Sequence, residues 1–249
     1  MIYSIEHLKQ DLISAGISAG DTLLVHSSMK SIGSVESGAE GVFRALMDVI
    51  TDDGLLIFPT LSYEAVSEQT PDFNEKTTPS CTGILPELFR KKKNVFRSLH
   101  PFHSLAAWGR AADAFVHGHE RFETAFDMES PWGKLLDRNA KVFLIGVDLT
   151  AATFLHPVEQ WSGVPVLSET PVLRYIVHAS GEKTPRTIYW HTGAHSENYF
   201  RAESVLSESG ALRKVRFGAA ESLLMDCRKT YQVMKPILEK NPLFFAHHG

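Results

Sequence analysis

The sequence predicts an α/β fold: one domain over residues 1–249, with a mixed, mostly parallel sheet flanked by helices. Three observations carry that expectation. The runs "TLLVH" (22–26), "LLIFPTL" (55–61) and "KVFLIGV" (141–147) are continuously apolar, as strands covered on both faces must be. Amphipathic stretches with a helical period separate them. No repeat or low-complexity tract divides the chain, and 43% hydrophobic residues among 249 are enough for a substantial core.

Each element follows from local pattern. Residues 4–15 place Ile5, Leu8, Leu12 and Ile13 on one side of a helix that Gly16 stops. "GD" at 20–21 turns the chain into the first apolar strand. "GVFRALMDVI" (41–50) is helical, "TDDG" turns, and the second strand follows, giving a βαβ unit. "GILPELFRKKK" (83–93) predicts a helix whose three lysines form a solvated end with favourable dipole placement. "SLAAWG" (104–109) and "VLRYIVH" (172–178) are further strands. "AADAFVHGHE" and "SPWGKLLDR" supply helices between strands, the second with Ser130 as cap and Pro131 at its first position. A capped helix is expected in "SENYFRAESVLSESGAL", ended by Gly210, then a hairpin in "RKVRFGAAESLLMD" and a final helix in "CRKTYQVMKPILEK". Residues 62–82 show no period, and so long a loop is usually functional or mobile.

Composition excludes several classes. A net charge of −4 supplies no basic field for nucleic acid. No apolar run approaches bilayer length, and the start lacks the basic and apolar regions of a signal peptide, so a membrane is not an expected partner. Cys81 and Cys227 cannot build a disulfide framework. A reduced, cytoplasmic setting is the default expectation.

Ligands in open α/β sheets bind beyond the carboxyl ends of strands. The first such end reads His26-Ser27-Ser28 with Lys30, either a serine-rich turn or a site for a pyrophosphate. Before the 104–109 strand, Arg97, Ser98, His100, His103 and Ser104 form a denser polar cluster than a strand needs, and an arginine can hold a phosphate in bidentate fashion. After the 141–147 strand, Thr153, His156 and Glu159 follow at steps of three. With Pro157 in the first turn of a helix, His156 sits at the cap and Glu159 in that turn. Glu159 then either complements the helix dipole or orients His156 as a base. His191 and His195 stand one helical turn apart, a spacing some zinc sites use, but without the glutamate of an HExxH motif.

Taken in order, "GDTLLVHSSMKSIG", "TTPSCTGILPELFR", "RSLHPFHSLAAWG", "SPWGKLLDRNAKVFLIGVDLTAATFLH" and "NPLFF" resemble the aminoglycoside 3-N-acetyltransferase family over about residues 16–245. The resemblance implies that family's own α/β fold and a transferase that uses acetyl-CoA as cosubstrate, without a metal. It implies that Ser27, Ser28, Lys30, Arg97, Ser98, His100 and Ser104 line the coenzyme site. It makes His156 the general base on the acceptor amine, Glu159 its orienting carboxylate, and Thr153 a donor to the thioester oxygen. Neither cysteine has a histidine partner by sequence, so direct attack is expected rather than an acyl-enzyme. The family's antibiotic-modifying members usually carry several acidic residues in the segment corresponding to about 186–200, where this chain has Glu197 alone. The acceptor is therefore an aminoglycoside, another amino sugar or a small amine, with aminoglycosides expected to be weak substrates. Two competing readings are a metal-dependent hydrolase using His156, Glu159, His191 and His195, and an inactive relative that keeps coenzyme A affinity. The sequence leaves the oligomeric state open.

Overall fold

The computed structural model describes residues 2–192 and 194–246. In chain order the elements are β1 (Ile2–Tyr3), α1 (Ile5–Ser14), β2 (Thr22–Ser27), α2 (Met29–Ile32), β3 (Ser34–Val35), α3 (Ala39–Ile50), β4 (Leu55–Pro59) and β5 (Asp72–Phe73). Then come α4 (Ile84–Phe89), β6 (Val95–Arg97), β7 (Leu105–Trp108), α5 (Ala112–Val116), α6 (Pro131–Asp137), β8 (Lys141–Ile145) and α7 (Leu155–Trp161). The last are β9 (Val172–Val177), β10 (Lys183–Ile188), α8 (Glu203–Glu208), β11 (Leu212–Phe217), β12 (Ala220–Asp226) and α9 (Cys227–Lys240).

Seven strands form the main sheet in the order β11-β12-β8-β2-β4-β7-β6. It is the mixed, helix-flanked sheet that the apolar runs require. Its parallel part is smaller than the sequence predicts: β2 runs parallel to β4 and β8, and every other neighbouring pair is antiparallel. Parallel neighbours need a long crossover, whereas β11–β12 and β6–β7 are joined by short connections that turn the chain back.

The pleat divides the core in two. Leu23, Val25, Leu56, Phe58, Phe143 and Ile145 face one side, where Leu8 and Leu12 of α1, six buried apolar residues of α3, and Leu85 and Phe89 of α4 cover them. Leu24, Leu55, Ile57, Val142 and Leu144 face the other, under α5, Trp132 and Leu135 of α6, Val158 of α7, and Met234 and Leu238 of α9. Each such Leu or Phe contributes about 1.5–3 kcal/mol on burial. Ile13, expected on the buried side of α1, is 53% exposed. Ser4 caps α1 by accepting from the His7 amide at 3.1 Å, and Ser130 caps α6 by accepting from the Trp132 amide at 3.2 Å.

A second sheet, β10-β9-β5, lies outside the main one. Its β10 reads "KTPRTI", a strand whose proline and charges conceal it in the sequence. Its β5 lies in the aperiodic 62–82 segment. The expected long helix after residue 196 is instead a 3₁₀ segment, Ala194–Ala202, followed by the short α8.

Candidate active site

The three mutually parallel strands all deliver their carboxyl ends to one place. From β2 come His26 and Ser27, from the loop after β4 come Leu61, Cys81 and Thr82, and from beyond β8 come Val147, Thr150 and Thr153. Together with His103, His156, Arg174, Trp190 and His191 they line a cavity of about 870 Å³. Gly146 makes the β8 exit possible: its φ is +63°, and a Cβ there would stand 2.3 Å from the Ser31 Cβ.

His156 sits two residues further into α7 than the sequence predicts, because Leu155 opens the helix and Phe154 is its cap. Glu159 follows one turn later and is fully buried. The two do not touch directly: His156 Nδ1 is 3.9 Å from Glu159 Oε2. The Tyr199 hydroxyl bridges them, lying 2.6 Å from His156 Nδ1 and donating to Glu159 Oε2. A hydroxyl has one hydrogen. Since Tyr199 gives it to the carboxylate, His156 must donate Nδ1–H to the tyrosine oxygen, which leaves the lone pair on Nε2. His195 Nδ1 donates to the other carboxylate oxygen, Oε1, at 2.7 Å.

Tyr199 is held from behind. Its ring meets Phe245 at 4.8 Å, and the neighbouring Asn198 and Arg201 donate to the carbonyls of Phe245, Phe244 and Ala246. Being fully buried, it cannot stack on a sugar. Of the aromatic residues in 189–200, Trp190 lines the cavity.

The histidines lining the cavity carry no charge. Burial, reinforced by neighbouring histidines, holds His156 well below the ordinary histidine range. Burial also pushes His26, His103 and His191 down to about 3. At neutral pH these rings are uncharged. Burial raises Glu159, opposed by the hydrogen bonds from Tyr199 and His195.

Thr153 is beside His156 on the cavity wall, and the His156 amide donates to the Thr153 carbonyl at 3.1 Å. Of the residues assigned by resemblance to the coenzyme, Ser27 reaches the cavity, with its Oγ buried and unpartnered, and so does the His26 Nε2 next to it. The other six do not line it. Ser28 caps α2, accepting from the Ser31 amide at 3.3 Å, and Lys30 is exposed. Arg97 is buried and committed: Nε donates to Thr60 Oγ1 and Ser104 Oγ, Nη1 to the Glu75 and Thr78 carbonyls, and Nη2 to the Thr60 carbonyl. It ties the loop after β4 to β7, with its guanidinium over Phe73, and has no fork left for a phosphate. Ser104 Oγ donates to the Thr60 carbonyl at 2.8 Å. Ser98 accepts from the Leu105 amide at 2.9 Å and donates to His119 Nδ1 at 2.8 Å. His100 accepts the amides of Phe102 and His103. The 97–104 cluster is thus a buried scaffold that presents two side chains, Phe102 and His103, to the cavity.

His156, Glu159 and His191 bring ligand-type atoms within 4.8 Å of one another, three of the four residues of the metal reading. The fourth, His195, is spent on Glu159. Gly193, between His191 and His195, lies outside the described residues. Cys81 also lines the cavity, but burial raises its thiol pKa and Sγ donates to the Leu61 carbonyl at 3.1 Å.

A profile of the family described as aminoglycoside 3-N-acetyltransferase matches residues 24–239. The chain belongs to that family. The SPbeta prophage-derived aminoglycoside N(3')-acetyltransferase-like protein YokD of Bacillus subtilis (strain 168) is 34% identical over 174 residues, 62% of this chain and 64% of YokD. The chain therefore spans slightly under two thirds of that relative's length. A crystal structure of a histidine-to-alanine variant of AAC(3)-IVa in complex with a gentamicin is 26% identical, with a TM-score of 0.87 over 99% of this chain and 92% of that one. AAC-IIIb, in a binary complex with CoASH, shares the fold at 23% identity, with a TM-score of 0.86 over 96% and 97% of the two chains.

Proposed function

We propose that the chain is an acetyl-CoA-dependent N-acetyltransferase acting on the amine of a small molecule. The observation that carries the reading is the His156–Tyr199–Glu159 chain, which fixes an uncharged imidazole on the cavity wall with Nε2 as its basic atom. The acceptor nitrogen attacks the thioester carbon as His156 Nε2 takes a proton from it. Thr153 donates to the carbonyl oxygen as that oxygen gains charge, and collapse of the tetrahedral intermediate expels the thiolate, which collects the proton. Glu159, reached through Tyr199, stabilises the imidazolium in the interval.

The coenzyme's pantetheine arm carries amides and a thioester, and the unpartnered Ser27 Oγ and His26 Nε2 are groups such an arm satisfies. Lys30, exposed beside them, is the cation of that loop open to phosphates. A protonated Cys81 without a base supports direct transfer over an acyl-enzyme. Aminoglycosides, the family's acceptors, belong in the test set with simple amino sugars.

The test is thiol release from acetyl-CoA with each amine. His156→Ala should lower turnover by about 10²- to 10⁴-fold while calorimetry shows coenzyme binding retained. Near-parental turnover of that variant across pH removes His156 from the mechanism.

A further inference from the structure

The hairpin β9–β10 places Arg174 directly across from Arg186. Directly paired residues of an antiparallel ladder share a face, with Cβ atoms about 5 Å apart, and like charges so placed repel. This face is the inner one: Val172 and Ile188, which alternate with the arginines, pack with Val66, Phe73 and Phe102. Arg174 is 7% exposed and lines the cavity, its guanidinium 5.3 Å from the centre of the Phe102 ring. Nη1 donates to the Leu173 carbonyl at 2.7 Å, whereas Nε of both arginines is buried without a hydrogen-bond partner. Among the described residues neither arginine makes an ion pair within 4 Å. The carboxylate whose field reaches Arg174 is that of Glu68, exposed on the loop after β4.

A guanidinium in the cavity wall with an unspent donor, backed by a second arginine on the same face, is costly beside an empty cavity and favourable beside an anion, whose oxygens match its planar fork. A polycationic acceptor needs the opposite, several carboxylates. Among the described residues the cavity lining offers one, Glu68. We propose that Arg174, which lines the cavity, holds a carboxylate or phosphate of the acceptor, with Arg186 behind it on the same face but outside the lining adding to the positive field, making the substrate class an amine that also carries a negative group. This rests on the acetyl-transfer reading. The phosphates of the coenzyme have the same chemistry, so the experiment separates the two sources.

Thiol release from acetyl-CoA is measured with glucosamine 6-phosphate, glucosamine and kanamycin, for the parent protein and for Arg174→Gln and Arg186→Gln. Calorimetry follows binding of glucosamine 6-phosphate to the coenzyme A-loaded protein, and of coenzyme A and dephospho-coenzyme A to the free protein. The expected result is a preference of about tenfold or more in kcat/KM for glucosamine 6-phosphate over glucosamine, lost in the variants through a higher KM with coenzyme affinity unchanged. Should Arg174→Gln fail to fold, Arg186→Gln, at the less buried position, carries the same test. Kanamycin as the best substrate overturns the inference and leaves acetyl transfer intact. So does a preference that survives both variants. Weaker coenzyme binding in the variants assigns the arginines to the coenzyme and equally overturns it. If no amine is acetylated but glucosamine 6-phosphate binds in an Arg174-dependent way, the anion site stands and acetyl transfer falls. If it neither binds nor reacts, the inference fails.

Discussion

Replacing Tyr199 with phenylalanine removes one oxygen from the proposed base assembly and almost nothing else. The ring keeps its contacts with Phe245 at 4.8 Å and His156 at 5.2 Å. What is lost is the hydroxyl that donates to Glu159 and accepts from His156. A hydrogen bond to a charged group is worth about 1.5–3 kcal/mol. At about 1.4 kcal/mol per tenfold in rate, kcat should fall about 10- to 150-fold if the whole of that energy acts on the imidazolium-like transition state. The upper part of the range applies if the ring also loses its fixed tautomer, since a proton on Nε2 disables the base. The assay is thiol release at saturating acetyl-CoA and amine, beside coenzyme binding and a melting curve. A soluble, coenzyme-binding Tyr199→Phe protein with kcat within twofold of the parent refutes the relay and returns Glu159 to a structural role.

Four further outcomes concern groups in and around the cavity. Desolvation of their rings pushes four histidines, His26, His103, His119 and His191, down to about 3 in the folded protein, against about 6.5 unfolded. Below pH 6.5 the unfolded chain binds protons that the folded one refuses, so stability is flat above about pH 6.5 and falls towards pH 3, by up to about 1.4 kcal/mol per histidine per pH unit; a melting temperature unchanged down to pH 4.5 contradicts this. Arg97→Ala should lower the melting temperature sharply, because it strands the buried Thr78 carbonyl and leaves the Thr60 carbonyl with Ser104 Oγ alone of its two side-chain donors, while changing coenzyme affinity less than stability; the reverse pattern in melting curves and calorimetry restores Arg97 to the coenzyme. Cys81→Ser should keep turnover within a few fold, since the thiol is protonated and engaged with the Leu61 carbonyl; abolished thiol release would instead indicate an acyl-enzyme. Chelator-treated, metal-free protein should keep its acetyl-transfer rate, and a loss recovered with zinc would favour metal at His156, Glu159 and His191.

The parts of the fold that the sequence discloses are those with an uninterrupted physical signal. β2, β4 and β8 are buried on both faces, so their apolar runs have no competing reading. β10 is the opposite case: one face meets solvent, Pro185 and the charged Lys183 and Arg186 interrupt it, and pairing with β9 alone makes it a strand. Parallel and antiparallel neighbours look identical along a single strand, which is why the sheet is less parallel than its apolar runs imply.

At the candidate site, the proximity of Thr153, His156 and Glu159 is legible because they lie within seven residues, at steps of three. Tyr199 is not, since nothing in "SENYF" marks a tyrosine whose partner lies 40 positions earlier. Arg97 shows the converse error. A dense polar cluster reads alike whether its donors face a ligand or the protein's own carbonyls, and burial decides between them. Arg174 left a usable trace: a cation on the inward register of an apolar strand, between Val172 and Ile176.

In the proposed mechanism, the brace behind Tyr199 separates control of the base from contact with either substrate. Phe245 lies 89 positions after His156 and does not line the cavity, yet through the Tyr199 ring it sets where the hydroxyl stands. Catalytic power can therefore drift through substitutions at 244–246 or at Arg201 with acceptor choice untouched, and a search for activity determinants confined to the cavity would overlook them. It also gives a protein engineer a throttle: trimming Phe245 to a smaller apolar residue should loosen the tyrosine and slow turnover in graded steps, at constant affinity for the coenzyme.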